Sequence, residues 1–129
     1  TPRRRPGGET PEEILRQIRE HYPDALVMGE ISTLEEAKRI IPMKFDLIST
    51  TLSGYTRESQ EVKAVNLDLI RQIHAITDIP IIAEGKIRCE QEAVEALKAG
   101  AHAVVVGTSI TRPEIITERY VDAIREAEG

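Results

Sequence analysis

Two stretches of the chain, residues 79–87 (IPIIAEGKI) and residues 100–113 (GAHAVVVGTSITRP), decide the fold. Each contains a short, continuous run of mostly β-branched apolar residues rather than an alternating one. Continuous runs are typical of strands that are buried on both faces of a parallel sheet. A glycine, Gly85 or Gly107, closes each run and is followed by a helix start. The two stretches therefore predict β/α units whose glycine turns lie at the ligand-binding edge of a parallel sheet.

The rest of the chain repeats this unit. Apolar runs over residues 25–31 and 45–52 predict two earlier strands, and N-capping sequences at Thr10, Thr33 and Asn66 predict helices around them. The order α-βα-βα-βα-βα implies right-handed crossovers and an α/β fold with a parallel sheet. Two architectures fit this order: a small doubly wound sheet, or half of a TIM-type (β/α)8 barrel. A whole barrel needs about 250 residues, roughly twice the length of this chain.

The composition limits the classes of function. With 129 residues, 40% of them hydrophobic and 30% charged, the chain is expected to form one globular domain over residues 1–129, with residues 1–9 as a tail. A net charge of −5 argues against binding to nucleic acid. No apolar run reaches the ~18 residues of a membrane span and no signal-peptide pattern is present, so we expect a cytoplasmic protein without membrane contact. The single cysteine, Cys89, excludes an internal disulfide and is interpreted as structural.

The glycine turns after the last two predicted strands are candidates for binding phosphate. A residue without a Cβ lets backbone amides approach an anion closely, and the following helix start adds a favourable dipole. Gly85 and Gly107 occupy the positions that often form the phosphate site of barrels, and Lys86 could add a positive charge. Two alternatives remain open at this point. The glycines could simply turn the chain, and the lysine could be an ordinary solvated residue.

Two carboxylates are placed at the same predicted edge. Glu84 directly follows three apolar strand residues, and Glu30 occupies the equivalent end of the first strand. Two carboxylates on one rim suit acid–base chemistry on a small polar substrate. Ion pairs with Arg88 or Arg112 are the alternative, and that second arginine could equally bind a substrate oxygen. The long loop after the second strand offers the hydroxyl of Tyr55 to such a substrate.

Four motifs in order resemble the N-acetylmannosamine-6-phosphate 2-epimerase family. ISTLEEA (31–37) and TTLSGYT (50–56) follow the first two strands, and the two stretches quoted above supply the others. The family interconverts N-acetylmannosamine 6-phosphate and N-acetylglucosamine 6-phosphate in sialic-acid breakdown. The resemblance implies the C-terminal half of a (β/α)8 barrel, with phosphate-binding loops after the last two strands and no cofactor.

The resemblance also implies roles for individual residues. Glu84 matches a catalytic glutamate of the family, and Glu30 and Arg112 match residues that bind the sugar. We add Tyr55 to the substrate-binding set. The residues that match the phosphate-binding turns are Gly85, Lys86, Gly107 and Thr108.

One catalytic group of the family has no counterpart among these residues. The resemblance implies a catalytic lysine in the N-terminal half of the barrel, and no lysine of this sequence stands at a matching position. We therefore expect an isomerase by resemblance whose 129-residue chain binds sugar phosphate weakly and turns it over poorly or not at all. The alternative is a non-catalytic half-barrel that binds sugar phosphate. Either one is expected to assemble with itself or with a separate N-terminal half, because a half-barrel leaves two strand edges open.

Overall fold

The fold is described from a computed structural model, which describes residues 8–54, 56–59 and 64–128. The predicted tail, residues 1–9, lies mostly outside these described residues. The elements in chain order are α1 (Pro11–His21), β1 (Met28–Glu30), α2 (Leu34–Ile40), a 3-10 helix (Ile41–Met43), β2 (Leu47–Ser49), a 3-10 helix (Arg57–Ser59), α3 (Leu67–His74), β3 (Ile81–Glu84), α4 (Glu90–Lys98), β4 (Ala103–Val105), α5 (Thr108–Thr111) and α6 (Pro113–Glu128).

The four strands form one parallel sheet in the order β1-β2-β3-β4. Sequential order without a reversal is the topology of a barrel wall, whereas a doubly wound sheet reverses its strand order at a switch point. The prediction of half a (β/α)8 barrel is therefore confirmed, and the doubly wound alternative is wrong.

The helices cover one face of this sheet. Ile48, Ile81 and Ala83 on the strands are at most 1% exposed, and they pack against Ile70 and Ile73 of α3 together with small residues of α2 and α4. Burying one isoleucine side chain contributes about 1.5–3 kcal/mol, so this face supplies much of the stability of the fold. The opposite face is the inner wall of a barrel.

The strands are shorter than the apolar runs predicted. Only three or four residues of each run are assigned to a strand, although ladder-type hydrogen bonds continue beyond the assigned ends. The amide of Ile31 donates to the carbonyl of Ser49 at 2.9 Å, and the amide of Ile48 donates to the carbonyl of Pro80 at 3.0 Å. The remaining residues of each run belong to the turns that connect strands to helices.

The helices begin where the capping sequences predicted. Thr10 and Glu13 form a complete capping box at α1, and the side chains of Thr33 and Asn66 accept hydrogen bonds from the first turns of α2 and α3. Two short helices were not predicted: the 3-10 helix at Arg57–Ser59 and α5. Both lie in loops that follow strands, and a helix of three or four residues is too short to show a helical spacing of apolar residues in the sequence.

Candidate functional site

A cleft of about 500 Å³ opens at the carboxyl ends of β3 and β4. Its walls come from the loops after β2, β3 and β4 and from one side of α6. The lining residues are Thr51, Leu52, Glu84, Gly85, Lys86, Ile87, Arg88, Val105, Gly107, Thr108, Ser109, Ile115 and Arg119. Five predicted site residues therefore meet in one place: Glu84, Gly85, Lys86, Gly107 and Thr108.

Glu84 is held by the two residues that follow β2. Thr50 exchanges two hydrogen bonds with its backbone, donating to the carbonyl of Glu84 at 3.1 Å and accepting from its amide at 3.2 Å. The hydroxyl of Thr51 donates to the Oε2 atom of Glu84 at 2.9 Å. No described residue forms a hydrogen bond with Oε1. The partly buried carboxylate therefore lines the cleft with one of its oxygens held by Thr51.

The turn after Glu84 has left-handed backbone at two successive residues. Gly85 has a φ of +94° and Lys86 a φ of +60°. Left-handed backbone costs a residue with a Cβ roughly 1–2 kcal/mol, so Lys86 is held there against its preference. Its Nζ atom donates to the carbonyl oxygen of Gly54 at 3.2 Å, which joins the loop after β3 to the loop after β2.

The loop after β4 is fastened to the loop after β3. The hydroxyl of Ser109 donates to the carbonyl of Ile87 at 2.8 Å, and Nη1 of Arg119 on α6 donates to the carbonyl of Arg88 at 2.8 Å. Gly107 has a φ of −102°, outside the left-handed region, and apart from its chain neighbours no atom of the described residues lies within 4 Å of a Cβ built on it. The glycine therefore leaves open space beside the start of α5.

Buried hydroxyls fix the loop that follows β2. Thr56 donates to the hydroxyl of Ser32 at 3.0 Å, and that hydroxyl donates to Oε2 of Glu36 at 2.6 Å. The hydroxyl of Ser59 accepts from the amide of Gly54 at 2.8 Å. All three hydroxyl residues are at most 6% exposed. The described part of this loop is therefore tied to the first turn of α2.

Two predicted site residues, Glu30 and Arg112, do not line this cleft, and the position of a third falls outside the described structure. Tyr55 lies outside the described residues. Glu30 is exposed at the end of β1 and, through the register of the strands, points to the same face of the sheet as Glu84. Arg112 is 54% exposed and pairs with Glu114 at 2.7 Å. Among the ion pairs of the described residues, none involves either of the two rim carboxylates.

The cleft also contains residues that sequence reasoning missed. Thr51 could have been found, because it directly follows a predicted strand beside the one that ends in Glu84. Ser109 and Arg119 carry no such signal, since only the folding of α5 and α6 brings them to the cleft. Within the described residues, no group of three or more His, Cys, Asp or Glu side chains could hold a metal ion. Among the same residues, no helix has the length and apolar character that crossing a membrane requires.

The sequential parallel sheet and the cleft at its carboxyl edge define the class: part of a (β/α)8-type barrel protein. The particular family follows from the sequence. The family model described as "Putative N-acetylmannosamine-6-phosphate epimerase" (NanE) matches residues 1–126. The chain belongs to this family.

Individual relatives show the same relationship and its extent. Proteins described as "Putative N-acetylmannosamine-6-phosphate 2-epimerase" from Caldanaerobacter subterraneus subsp. tengcongensis and Latilactobacillus sakei are 52% and 42% identical to it. The alignments cover 95% and 98% of this chain but 52% and 55% of the relatives. The solved structure of the N-acetylmannosamine-6-phosphate 2-epimerase from Clostridium perfringens superposes with a TM-score of 0.85 at 41% identity, covering 94% of this chain and 52% of that one. The chain thus spans about half the length of the relatives it matches.

Proposed function

We propose that this chain supplies the phosphate-binding half of an N-acetylmannosamine-6-phosphate 2-epimerase site. The observation that carries the proposal is the meeting of a carboxylate, Glu84, with the glycine turns at Gly85 and Gly107 in one cleft. A sugar phosphate needs both features, since its phosphate must be held while a carboxylate reaches its reacting carbon. Membership in the NanE family supports the choice of sugar.

The phosphate is proposed to lie between the turns after β3 and β4. The amides of Thr108 and Ser109 begin α5 and have no acceptor within that helix, so they can donate to phosphate oxygens. The space beside Gly107, which a Cβ would fill, lets an oxygen approach this backbone. Lys86 and Arg119 line the same cleft and add positive charge.

Glu84 is proposed as the catalytic carboxylate that exchanges a proton with the sugar. When the sugar opens to its aldehyde, the carbonyl group acidifies the proton on C2. A base removes this proton and the electron pair moves onto the carbonyl oxygen; the pair then returns as C2 is protonated on its other face. The family's catalytic lysine has no counterpart in these residues, so a complete reaction requires a group from outside them.

The alternative function is a sugar-phosphate-binding half-barrel without catalysis. It is favoured by the extent of the match, because the chain spans 52% of the Clostridium perfringens enzyme. In both cases we propose that further barrel strands cover the inner face of the sheet. A second copy or an N-terminal half of the barrel would supply them.

Calorimetry and isotope exchange test the proposal together. Calorimetry compares N-acetylmannosamine 6-phosphate with N-acetylmannosamine, and NMR in D₂O follows deuterium entering C2. We expect binding of the phosphorylated sugar only, and exchange far slower than in the full-length relatives. Glu84→Gln should retain the affinity and abolish residual exchange.

Each possible result has one reading. Equal binding of the two sugars would refute the phosphate site. If the phosphorylated sugar binds but no deuterium enters C2, and if Glu84→Gln leaves the affinity unchanged, the non-catalytic half-barrel would be favoured. Exchange by the 129-residue chain at the rate of a full-length relative would show that no outside group is needed.

A further inference from the structure

The hydroxyl groups beside Glu84 are arranged as donors in one direction. Thr51 has a single hydroxyl proton, and it donates this proton to Oε2 of Glu84 at 2.9 Å, because an ionised carboxylate can only accept. The Oγ1 atom of Thr51 also contacts the Oγ atom of Ser49, and in this second contact it must be the acceptor. The chain of hydrogen bonds therefore runs from Ser49 through Thr51 to Glu84.

The origin of this chain is rigid. Ser49 is the last residue of β2 and is 0% exposed, although its side chain points to the face of the sheet that the helices do not cover. Its Oγ atom also accepts from the amide of Thr51 at 3.3 Å, so both of its hydrogen-bonding roles are used. A fully buried hydroxyl whose hydrogen bonds are all formed has little freedom to move, so it fixes the position of the Thr51 hydroxyl to which it donates.

We propose that Thr51 is a positioning residue that selects which carboxylate oxygen of Glu84 faces the substrate. Because Thr51 holds Oε2, Oε1 is the oxygen left for the cleft that Glu84 lines, while Thr50 fixes the backbone of the same glutamate. Proton transfer needs the base within hydrogen-bond reach of the proton, and a displacement of about 1 Å can cost a hundredfold in rate. The orientation of the carboxylate is a property of the chain itself and does not depend on the proposed function. Only the effect of Thr51 on catalysis rests on that function.

The orientation can be measured without a substrate. Three-bond ¹³C couplings in the labelled chain report whether the Glu84 side chain occupies one rotamer or averages several. We expect one rotamer in the wild type, averaging in Thr51→Val, which keeps the shape but removes the hydroxyl, and one rotamer again in Thr51→Ser. Thr117→Val is the matched control, because its hydroxyl donates to the carbonyl of Pro113 on α6 and it does not line the cleft.

Kinetics in an assembly that turns over the sugar phosphate provide the second readout. Thr51→Val should lower kcat about tenfold and change KM by no more than about twofold, since it removes one hydrogen bond to a charged group. Thr51→Ser, which keeps the hydroxyl, should recover most of the lost kcat.

If Thr51→Val leaves Glu84 in a single rotamer, or if the wild type already averages several, the proposal is refuted. Should Thr51→Val not fold, Thr51→Ala provides the same comparison. If the rotamers behave as expected but no sugar phosphate binds, the positioning role stands and the proposed function fails.

Discussion

Lys86 and Gly54 join two loops of the cleft through one hydrogen bond. The Nζ atom of Lys86 donates to the carbonyl oxygen of Gly54 at 3.2 Å, while the backbone of Lys86 has a left-handed φ of +60°. Lys86 therefore has an unfavourable backbone conformation and a side chain that links the two loops. The two effects can be separated by substitution.

Lys86→Gly should be more stable than Lys86→Ala by about 1 kcal/mol, because only the alanine keeps a Cβ in left-handed backbone. Both variants lack the amine, so their difference reports the backbone alone. Urea unfolding measures it. Lys44 also has a left-handed φ, of +61°, and does not line the cleft. The same pair of substitutions at Lys44 should show a similar difference in stability without affecting ligand binding, and equal stabilities at position 86 would contradict the prediction.

Gly107→Ala should still fold, without a steric clash, and should bind phosphate more weakly. A Cβ at position 107 meets no atom of the described chain within 4 Å, but it would enter the space proposed for a phosphate oxygen. Thermal unfolding and calorimetry with inorganic phosphate measure the two effects. We expect at least a tenfold loss of affinity, and unchanged affinity would remove Gly107 from the phosphate site.

Gly100→Ala is the contrasting substitution. Gly100 follows α4 with a φ of +114°, and a Cβ there would lie 2.5 Å from Cγ of His74. Left-handed backbone and overpacking each cost about 1–3 kcal/mol, so this variant should unfold at clearly lower urea concentration. A small effect would mean that α3 and α4 can separate locally.

The fold was predictable because its signals are local and repeated. The first three helices begin at side-chain caps, such as Thr10 or Asn66, and each strand lies within or beside a run of mostly apolar residues. The lengths of the strands were overestimated, since apolar residues in a turn look the same in sequence as those in a ladder. The choice between a barrel and a doubly wound sheet could not be made from periodicity, which does not encode the order of strands in space.

The candidate site divides in a similar way. Glu84 and Gly85 were found because the end of a parallel strand is a recognisable place in a sequence. The hydrogen bonds to the glutamate come from Thr50 and Thr51, 33 or 34 positions earlier in the chain. Arg119 reaches the loop after β3 across 31 positions. Such contacts depend on how strands and helices approach one another, which no local pattern specifies.

Asp46 should make the stability of the fold depend on pH in the acidic range. Its Oδ2 atom accepts from the amide of Val27 at 2.7 Å and from Nη2 of Arg19 at 2.6 Å, and these two contacts lower the pKa of the Asp46 carboxyl below 3.8. The folded state therefore favours the ionised carboxyl more than the unfolded state does. This stabilisation is fully present above the unfolded pKa and is lost as the pH falls through the lower folded pKa.

Asp46→Asn should reduce the free energy of unfolding at about pH 7 and flatten its decline below about pH 4, relative to the wild type. Urea unfolding across this range measures both changes. Asp68→Asn removes the same charge from a pair with Arg71 in which the aspartate is 86% exposed, and such pairs contribute little. Parallel pH profiles for the wild type and Asp46→Asn would contradict the prediction.

The inner face of the sheet should drive association of the chain. In the described structure, Met28 and Val105 are 39% and 42% exposed on that face. An open parallel sheet with an apolar face and two free edges tends to pair. We therefore expect light scattering to give at least twice the 14.4 kDa mass of one chain.

Met28→Lys separates association from folding. A lysine on a 39%-exposed site should cost the isolated chain little, but in a closed barrel it would bury an unpaired charge. Leu26→Lys is the matched control, because Leu26 is 77% exposed and precedes β1. Met28→Lys should give single chains with retained helix content, and Leu26→Lys should associate like the wild type. If both variants associate equally, the contact between chains lies elsewhere. If the wild type is itself a single chain, a second copy does not cover this face, and an N-terminal half of the barrel becomes the expected partner.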